Sequence, residues 1–330
     1  MKARHLAQVL GGIGVGFFFL WLLFRKIDLA DVGAAFAQAH VGWIVAAVVC
    51  FGCGYAFRIE RWRLMLLADN AGLRWAQCAG PFMASVATNN VLPLRAGDIL
   101  RASAFNRRLG VTGATSVTTL VVERLLDLLM LLCFLGVTLG VFGMESSRLV
   151  GFGSGVLIAA GLAILLALTL PSLFSPLALG LAGLIGRLIP RLGETLTGIV
   201  RKIFLALDHS SGAPVMARLL ACSAAAWLLE GLVFWCSALA LPSLVQPLAA
   251  WLALPVGTLA TIVPSTPGFA GSFDFFTAKA MQLLGNPPAT ATAFAVLVHG
   301  VLWLPPTLAG GLYLLLHPIK RTTTMGSPNR

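Results

Sequence analysis

Apolar residues in this chain run in long, nearly unbroken blocks separated by short polar stretches. The clearest blocks are Leu6–Phe24, Val41–Phe57, Leu128–Phe142, Val150–Leu170, Leu219–Leu241 and Ala293–Leu316. A helix needs roughly 20 apolar residues to cross a hydrocarbon core, so these blocks predict membrane-spanning helices. Barrel strands alternate apolar and polar positions over about ten residues, and these blocks do not. The expected fold is an all-α polytopic membrane protein, with residues 1–330 forming a single integral membrane domain. The first block resembles a secretory signal in position, yet it is long, lacks an Ala-x-Ala-like exit and ends at Arg25-Lys26. It is expected to remain as an uncleaved span.

Composition strengthens this reading: 58% of residues are apolar and 11% charged, where a soluble domain carries about 25% charged. The net charge of +11 would suggest nucleic acid in a soluble protein, but here its distribution matters more. Basic residues cluster at Lys2 and Arg4, at Arg58, Arg61, Arg63 and Arg74, at Arg107 and Arg108, along Arg187 to Arg218, and at Lys320 and Arg321. The opposite loops, Gly143–Leu149 and Pro242–Leu248, are nearly uncharged. The positive-inside rule then places both termini and a polar tail, 321–330, in the cytoplasm. The expected location is the cytoplasmic (inner) membrane of a prokaryote, and membrane lipids rather than nucleic acid are the expected partners. Cys50-Phe-Gly-Cys53 has redox spacing but lies in a span without supporting ligands, so packing is its expected role.

Two segments disturb the simple pattern. Gln77–Leu94 is apolar enough to enter the membrane, yet basic loops flank it on both sides; Ala249–Leu284 poses the mirror case. Each holds a breaker cluster, Thr88 to Asp98 with Pro93 and Gly97, and Ile262 to Asp274 with Pro264, Pro267, Gly268 and Gly271. Both contain Pro-x-x-x-Gly followed by an acid. Non-helical backbone at membrane depth survives only where protein or a water-filled cavity satisfies its amides. The expected architecture is therefore two inverted-topology halves, approximately 1–148 and 149–320, each with three spans and one re-entrant hairpin. Interrupted segments at matching places in inverted halves point to a transport site between them; ordinary connecting loops are the alternative. Leu173–Leu207, with its scattered basic residues, reads as interfacial helices or as a seventh span.

Charges embedded in apolar sequence cost roughly 2.5–3.5 kcal/mol each at the bilayer centre and so need a reason. Glu123 and Asp127 are four residues apart and share a helix face, with Arg124 beside it. Glu230 interrupts the fifth block, Asp274 and Lys279 flank the second hairpin, and His299 lies in the last span. With Arg95, Asp98 and Arg101 they are candidates to line a polar path; charges paired to lock helices together are the alternative.

The ordered set Arg58-x-x-Arg61-Trp62, Asn90-x-x-Pro93-x-Arg95-x-Gly97-Asp98-x-x-Arg101, Glu123-Arg124-x-x-Asp127 and Pro264-x-x-Pro267-Gly268-x-x-Gly271-x-x-Asp274 resembles the lysylphosphatidylglycerol synthase transmembrane-region family, also called flippase-like domain proteins. The resemblance runs from the first span to the last. Family members commonly carry Glu where Asp98 and Asp274 stand, and Gly where Phe269 stands, so Phe269 is expected to narrow a loop that others leave open. The resemblance implies lipid translocation without naming the lipid, and the basic residues make an anionic phospholipid or lipid-linked phosphate the expected cargo. Lipid aminoacylation is not expected, since the soluble aminoacyl-transfer domain of the multiple peptide resistance factors does not accompany these spans; a second copy or a separate lipid-modifying enzyme is the protein partner to look for.

No Walker-type Gly-Lys-Ser/Thr or His-Glu-x-x-His sequence occurs, so neither metal nor cofactor is expected, and movement would be passive or ion-coupled through the embedded acids and His299. The competing class is a membrane-embedded enzyme acting on a lipid phosphate with Glu123, Asp127 or Asp98 as base. It has no recognisable nucleophile constellation.

Overall fold

Every one of the six apolar blocks is helical in the computed structural model, which describes residues 3–25, 27–93, 95–142, 148–188, 193–194, 197–198, 200–201, 213–262 and 266–318. The first half contributes α1 (Ala3–Phe24), α2 (Leu29–Ala37), α3 (Val41–Leu66), α4 (Trp75–Val91), α5 (Ala96–Ser103), α6 (Asn106–Leu109) and α7 (Gly113–Val141). The second contributes α8 (Arg148–Thr169), α9 (Pro171–Leu188), α10 (Ala213–Leu239), α11 (Ala250–Ala260), α12 (Ser272–Leu283) and α13 (Pro288–Leu316), with short 3₁₀ turns at Pro247–Ala249 and Pro267–Phe269. No strand occurs among the described residues. Three helices over those residues, Val41–Leu66, Pro214–Leu239 and Pro288–Leu316, are long and apolar enough to cross a membrane. The protein is thus a multi-pass membrane protein. Helix α7, 29 residues long, carries Glu123, Arg124 and Asp127 ahead of an uncharged apolar stretch, Leu128–Val141.

Side-chain oxygens fix where helices start. Asp28 accepts from the Ala30 N–H at 2.8 Å and Thr112 from the Thr115 N–H at 3.1 Å, each satisfying an orphan donor of a first turn. The loop after α3 is tied to the start of α7, because Asp69 accepts from the Thr112 N–H at 2.7 Å. Burial would raise that carboxyl, yet the Thr112 N–H and the hydroxyls of Thr112 and Thr115 hold it below its ordinary value.

Packing is organised around α3 against α10 and α4 against α13. Helix α11 lies against α12, α10 and α7, α12 against α13 and α1, α5 against α4 and α7, and α8 against α7. Small residues permit the close crossings. A Cβ on Gly310 of α13 would stand 2.0 Å from the Met83 carbonyl oxygen of α4, and one on Gly97 of α5 would stand 1.8 Å from the Ser85 carbonyl oxygen of α4. These backbones can approach only where glycine is present.

Two apolar clusters form the interior. One gathers Trp62, Leu66, Phe82, Leu126 and Leu219; the other gathers Phe51, Phe234, Leu254, Met281 and Phe294. On α13 the residues Phe294, Val298 and Val301 are buried, while Leu304, Leu308, Leu312 and Leu315 form an exposed apolar stripe, the face a lipid-embedded helix turns outward. The segment Leu173–Leu207 is helical to Leu188, and Phe174–Arg187 within it is shorter than a span. Most of 189–212 lies outside the described residues.

Candidate functional site

Four helices bring their charges to one place. Helix α3 supplies Arg58 and Arg61 three residues apart, α7 supplies Glu123, Arg124 and Asp127, α10 supplies Glu230, and α5 supplies Asp98 and Arg101. Arg61 donates through Nη1 to Asp127 Oδ1 and to Ser223 Oγ, both at 2.9 Å, and the Trp227 indole N–H donates to the same Asp127 oxygen at 3.1 Å. Arg58 is ion-paired with Glu230 and stands 3.9 Å from Asp127; its guanidinium lies over the Trp227 ring at 5.1 Å. Arg101 reaches Glu123 at 3.0 Å and is held between the rings of Trp62 and Phe82 at 5.3 and 4.7 Å. Arg124 pairs with Asp98 at 2.9 Å.

Each of the four carboxylates is thereby engaged by arginine, Asp127 by Arg61 with Arg58 and Arg124 farther off at 3.9 and 4.0 Å, and Arg95 is left over. Among the described residues no carboxylate lies within ion-pairing distance of it, and its guanidinium rests 5.9 Å over the Phe269 ring. The cluster holds five arginines against four acids, so it carries one uncompensated positive charge, and that charge is at Arg95.

Local geometry explains how the two breaker clusters place Arg95 and Phe269 together. Arg95 stands two residues after Pro93, and Phe269 two residues after Pro267. Both adopt left-handed backbone, φ 52° and 63°, which non-glycine residues rarely do and which costs on the order of 1 kcal/mol or more. In each cluster a polar side chain caps the helix that follows. Asn89 Oδ1 accepts from the Gly97 N–H at 2.7 Å and its Nδ2 donates to Asp98 at 2.8 Å, while Asp274 Oδ2 accepts from the Gly271 N–H at 2.8 Å. The two clusters meet where α4 lies against the Pro267–Phe269 turn, a Cβ on Gly268 standing 3.2 Å from the Asn90 carbonyl oxygen, and α13 ties the first cluster in place. The Trp303 indole donates to the Asn90 carbonyl at 3.3 Å, and Asn90 Nδ2 donates to Thr307 Oγ1 at 2.8 Å.

Two adjoining cavities occupy the meeting place. The larger, about 240 Å³, is faced by Arg58, Arg95, Asp98, Arg124, Glu230 and Phe269 among others. The smaller, about 140 Å³, is faced by Glu230, Thr258, Gly268, Phe273, His299 and Trp303. Asn90, Glu230, Thr261, Phe269 and Leu302 border both, so Phe269 stands in the partition between them. His299 sits on the far side, its Nδ1 at 2.8 Å from Asp274 Oδ1 and its Nε2 at 3.1 Å from the Gly268 carbonyl.

The sequence-predicted residues divide accordingly. Arg58, Asn90, Arg95, Asp98, Arg101, Glu123, Arg124, Asp127, Glu230, Gly268 and His299 face one or both cavities. Arg61 is 1% exposed beneath them, and Asp274 and Gly271 hold the start of α12 behind His299. Pro93 ends α4 without facing either cavity. Lys279 stands apart: it lies on the exposed side of α12, donates to Gln282 at 2.8 Å and faces neither cavity, because α12 turns Asp274 and Thr277 inward. Pro264 lies outside the described residues. Sequence reading missed Asn89, Trp303, Thr307 and the partition role of Phe269. Asn89 had a signal, an amide eight residues before a glycine in a breaker cluster; Trp303 and Thr307 had none, since a tryptophan in a span reads as packing.

Residues 9–310 match the family described as the lysylphosphatidylglycerol synthase transmembrane region. The chain is also 25% identical over 317 residues to the glycosyltransferase AglD of Haloferax volcanii, an alignment covering 86% of this chain and 50% of that protein. The chain therefore spans about half the length of this curated relative. With the family match running from the first helix to the last, across every motif that builds the arginine cluster, the chain belongs to the lysylphosphatidylglycerol synthase transmembrane-region family.

Proposed function

We propose that the protein moves an anionic phospholipid or lipid-linked phosphate between leaflets, the headgroup resting against Arg95 in the larger cavity while the acyl chains stay in the bilayer. The observation that carries this is the unpaired Arg95 on a cavity whose other charges are mutually neutralised. An arginine is suited to phosphate because its planar fork donates two parallel hydrogen bonds. The paired charges make the surroundings polar enough to receive a headgroup without trapping it electrostatically.

Helix packing supports the two-half architecture. Matching α3 with α10, α4 with α11, α5 with α12 and α7 with α13 turns the α4–α13 contact into α11–α7, the α4–α5 contact into α11–α12 and the α5–α7 contact into α12–α13, all of which are present. The α3–α10 contact maps onto itself, as it would across a pseudo-two-fold axis. In this reading α4–α5 and α11–α12 are re-entrant hairpins of opposite orientation whose tips meet at Arg95 and Phe269, and the positive-inside distribution places the 67–74 loop in the cytoplasm. In a cysteine-free background, Ala71→Cys should react with a membrane-impermeant thiol reagent only from the cytoplasmic side. The exposed Val245→Cys should react only from the opposite side; the reverse pattern would sink the orientation.

The name of the relative AglD keeps an enzymatic reading in view, in which this chain acts on a lipid phosphate. It asks for a free base, and Asp98, Glu123 and Asp127 are each engaged by an arginine. Reconstitution separates the two readings. Purified protein in liposomes should carry a headgroup-labelled anionic phospholipid across the bilayer and return it chemically unchanged. Conversion of the lipid without movement would favour the enzyme instead.

A further inference from the structure

His299 has two ring nitrogens and both face acceptors, a carboxylate oxygen of Asp274 at 2.8 Å and the Gly268 carbonyl at 3.1 Å. A neutral imidazole has one N–H. Either neutral tautomer therefore leaves a lone pair pointing at an oxygen, next to the unprotonated Asp274 or to the Gly268 carbonyl. One added proton on the His299–Asp274 pair removes the conflict, since an imidazolium donates to both oxygens. The second oxygen of Asp274 accepts from the Gly271 N–H at 2.8 Å.

The acceptor that gains from this proton is not an ordinary carbonyl. Gly268 and Phe269 lie consecutively in left-handed backbone, φ 71° and 63°. A turn holding a phenylalanine in that region needs something to hold it. Beyond the His299 bond, the Phe269 N–H bonds to Thr266 at 2.9 Å and the Thr266 hydroxyl to Ala270 at 2.6 Å. This is also the turn that places Phe269 between the two cavities.

We propose that the His299–Asp274 pair is a proton-binding site, and that the bound proton latches the 266–271 turn so that Phe269 closes the passage between the two cavities. The proton comes from water in the smaller cavity, which His299 faces, and returns there; it adds to the ring nitrogen that faces an acceptor without a hydrogen. On its loss the one remaining N–H stays with the carboxylate, the stronger acceptor, so the link to Gly268 breaks, the strained turn is freed and Phe269 swings aside. Charged groups facing the pair are few. Glu230 of α10 borders the same cavity and is neutralised by Arg58 of α3, and α4 and α11 contribute Asn90, Thr258 and Thr261, none of which titrates. Lys279 points away from the pair on α12. The latch stands on this geometry alone; its place in a transport cycle, with a proton as the coupling ion, rests on the lipid-translocation reading.

The test exploits Asp274→Asn. An asparagine oxygen can still accept from the Gly271 N–H, while its amide donates to His299 Nδ1 and leaves Nε2–H for Gly268, so every partner is satisfied with no added proton. Two measurements in lipid nanodiscs apply: nitrogen NMR of ¹⁵N-histidine protein, with His299→Gln assigning the resonance, and hydrogen exchange of residues 262–275 corrected for intrinsic rates. In the wild type the pair should lose one proton as pH is raised, and protection of the turn should fall with it by tenfold or more. In Asp274→Asn the protection should be the same at acid and alkaline pH. A His299 ring that stays in one neutral tautomer throughout overturns the latch, as does an Asp274→Asn turn that loosens with pH like the wild type. Lipid movement then separates the two ideas. Protection that falls with pH in a wild type that moves no lipid supports the latch and removes the translocation reading. Lipid movement at a pH-independent rate, with an unchanging turn, removes the latch and leaves translocation standing.

Discussion

Arg61→Ala is expected to lose folded protein before any other property can be measured, by about 3–5 kcal/mol, the cost of leaving one partner of a buried ion pair alone. Arg61 is 1% exposed and joins three helices: its own α3, α7 through Asp127 and α10 through Ser223. Without it Asp127 keeps the Trp227 indole N–H at 3.1 Å and two more distant guanidinium groups, Arg58 at 3.9 Å and Arg124 at 4.0 Å, each already paired with another acid, too little for a carboxylate in the interior. Arg58 could answer only by abandoning Glu230, which moves the vacancy instead of filling it. Yet the pair itself is imperfect, since Nε and Nη2 of Arg61 are buried without a hydrogen-bond partner. An apolar substitute of similar volume removes those two losses along with the charge, and such replacements are often neutral or stabilising. Arg61→Met combined with Asp127→Leu should therefore recover much of the stability that Arg61→Ala loses. The measurement is the temperature at which half of the detergent-solubilised protein ceases to run as a single species. Equal transitions for wild type and Arg61→Ala would mean that α3, α7 and α10 are held by their apolar contacts alone.

The same cluster marks how far sequence could carry the reading. Apolar blocks and breaker clusters are local signals, and each block became a helix and each cluster a turn followed by a capped helix. Helical spacing also put Glu123 and Asp127 on one face and gave that face its polarity. What spacing cannot give is the partner on the facing helix. Arg58 meets Glu230 across 172 residues and Arg61 meets Ser223 across 162, distances in sequence bridged only by the crossing of α3 on α10. Arg124 stands beside Glu123 in sequence, yet its side chain leaves the helix toward Asp98, while Glu123 turns to Arg101. Lys279 lies away from the cavities for a related reason: five residues from Asp274 is nearly one and a half helical turns, so the two point apart. The place of Phe269 between the cavities and its contact with Arg95 depended on both turns adopting left-handed backbone, which no local signal announces.

Arg95→Ala should slow lipid translocation by about 10- to 100-fold, corresponding to loss of a charge-assisted hydrogen bond worth roughly 1.5–3 kcal/mol, and leave the folded yield close to wild type. The yield should hold because the Arg95 guanidinium has no ion pair to lose; alanine inherits the same left-handed backbone, so the strain at φ 52° is present before and after. Arg95→Lys keeps the charge but replaces a planar two-pronged donor by a point charge, and it should recover only a small part of the rate. Arg101 provides the contrast within the same motif. It is 3% exposed, paired with Glu123 and enclosed by Trp62 and Phe82, so Arg101→Ala should diminish folded protein and leave the rate per folded molecule far less affected than Arg95→Ala does. Rates are read as label transfer between leaflets per reconstituted protein, with yields taken from the monodisperse fraction in detergent. Normal translocation by Arg95→Ala would remove the headgroup from the larger cavity and move the search to the smaller one around Glu230 and His299. There, among the described residues, the positive charge nearest Glu230 is that of Arg58.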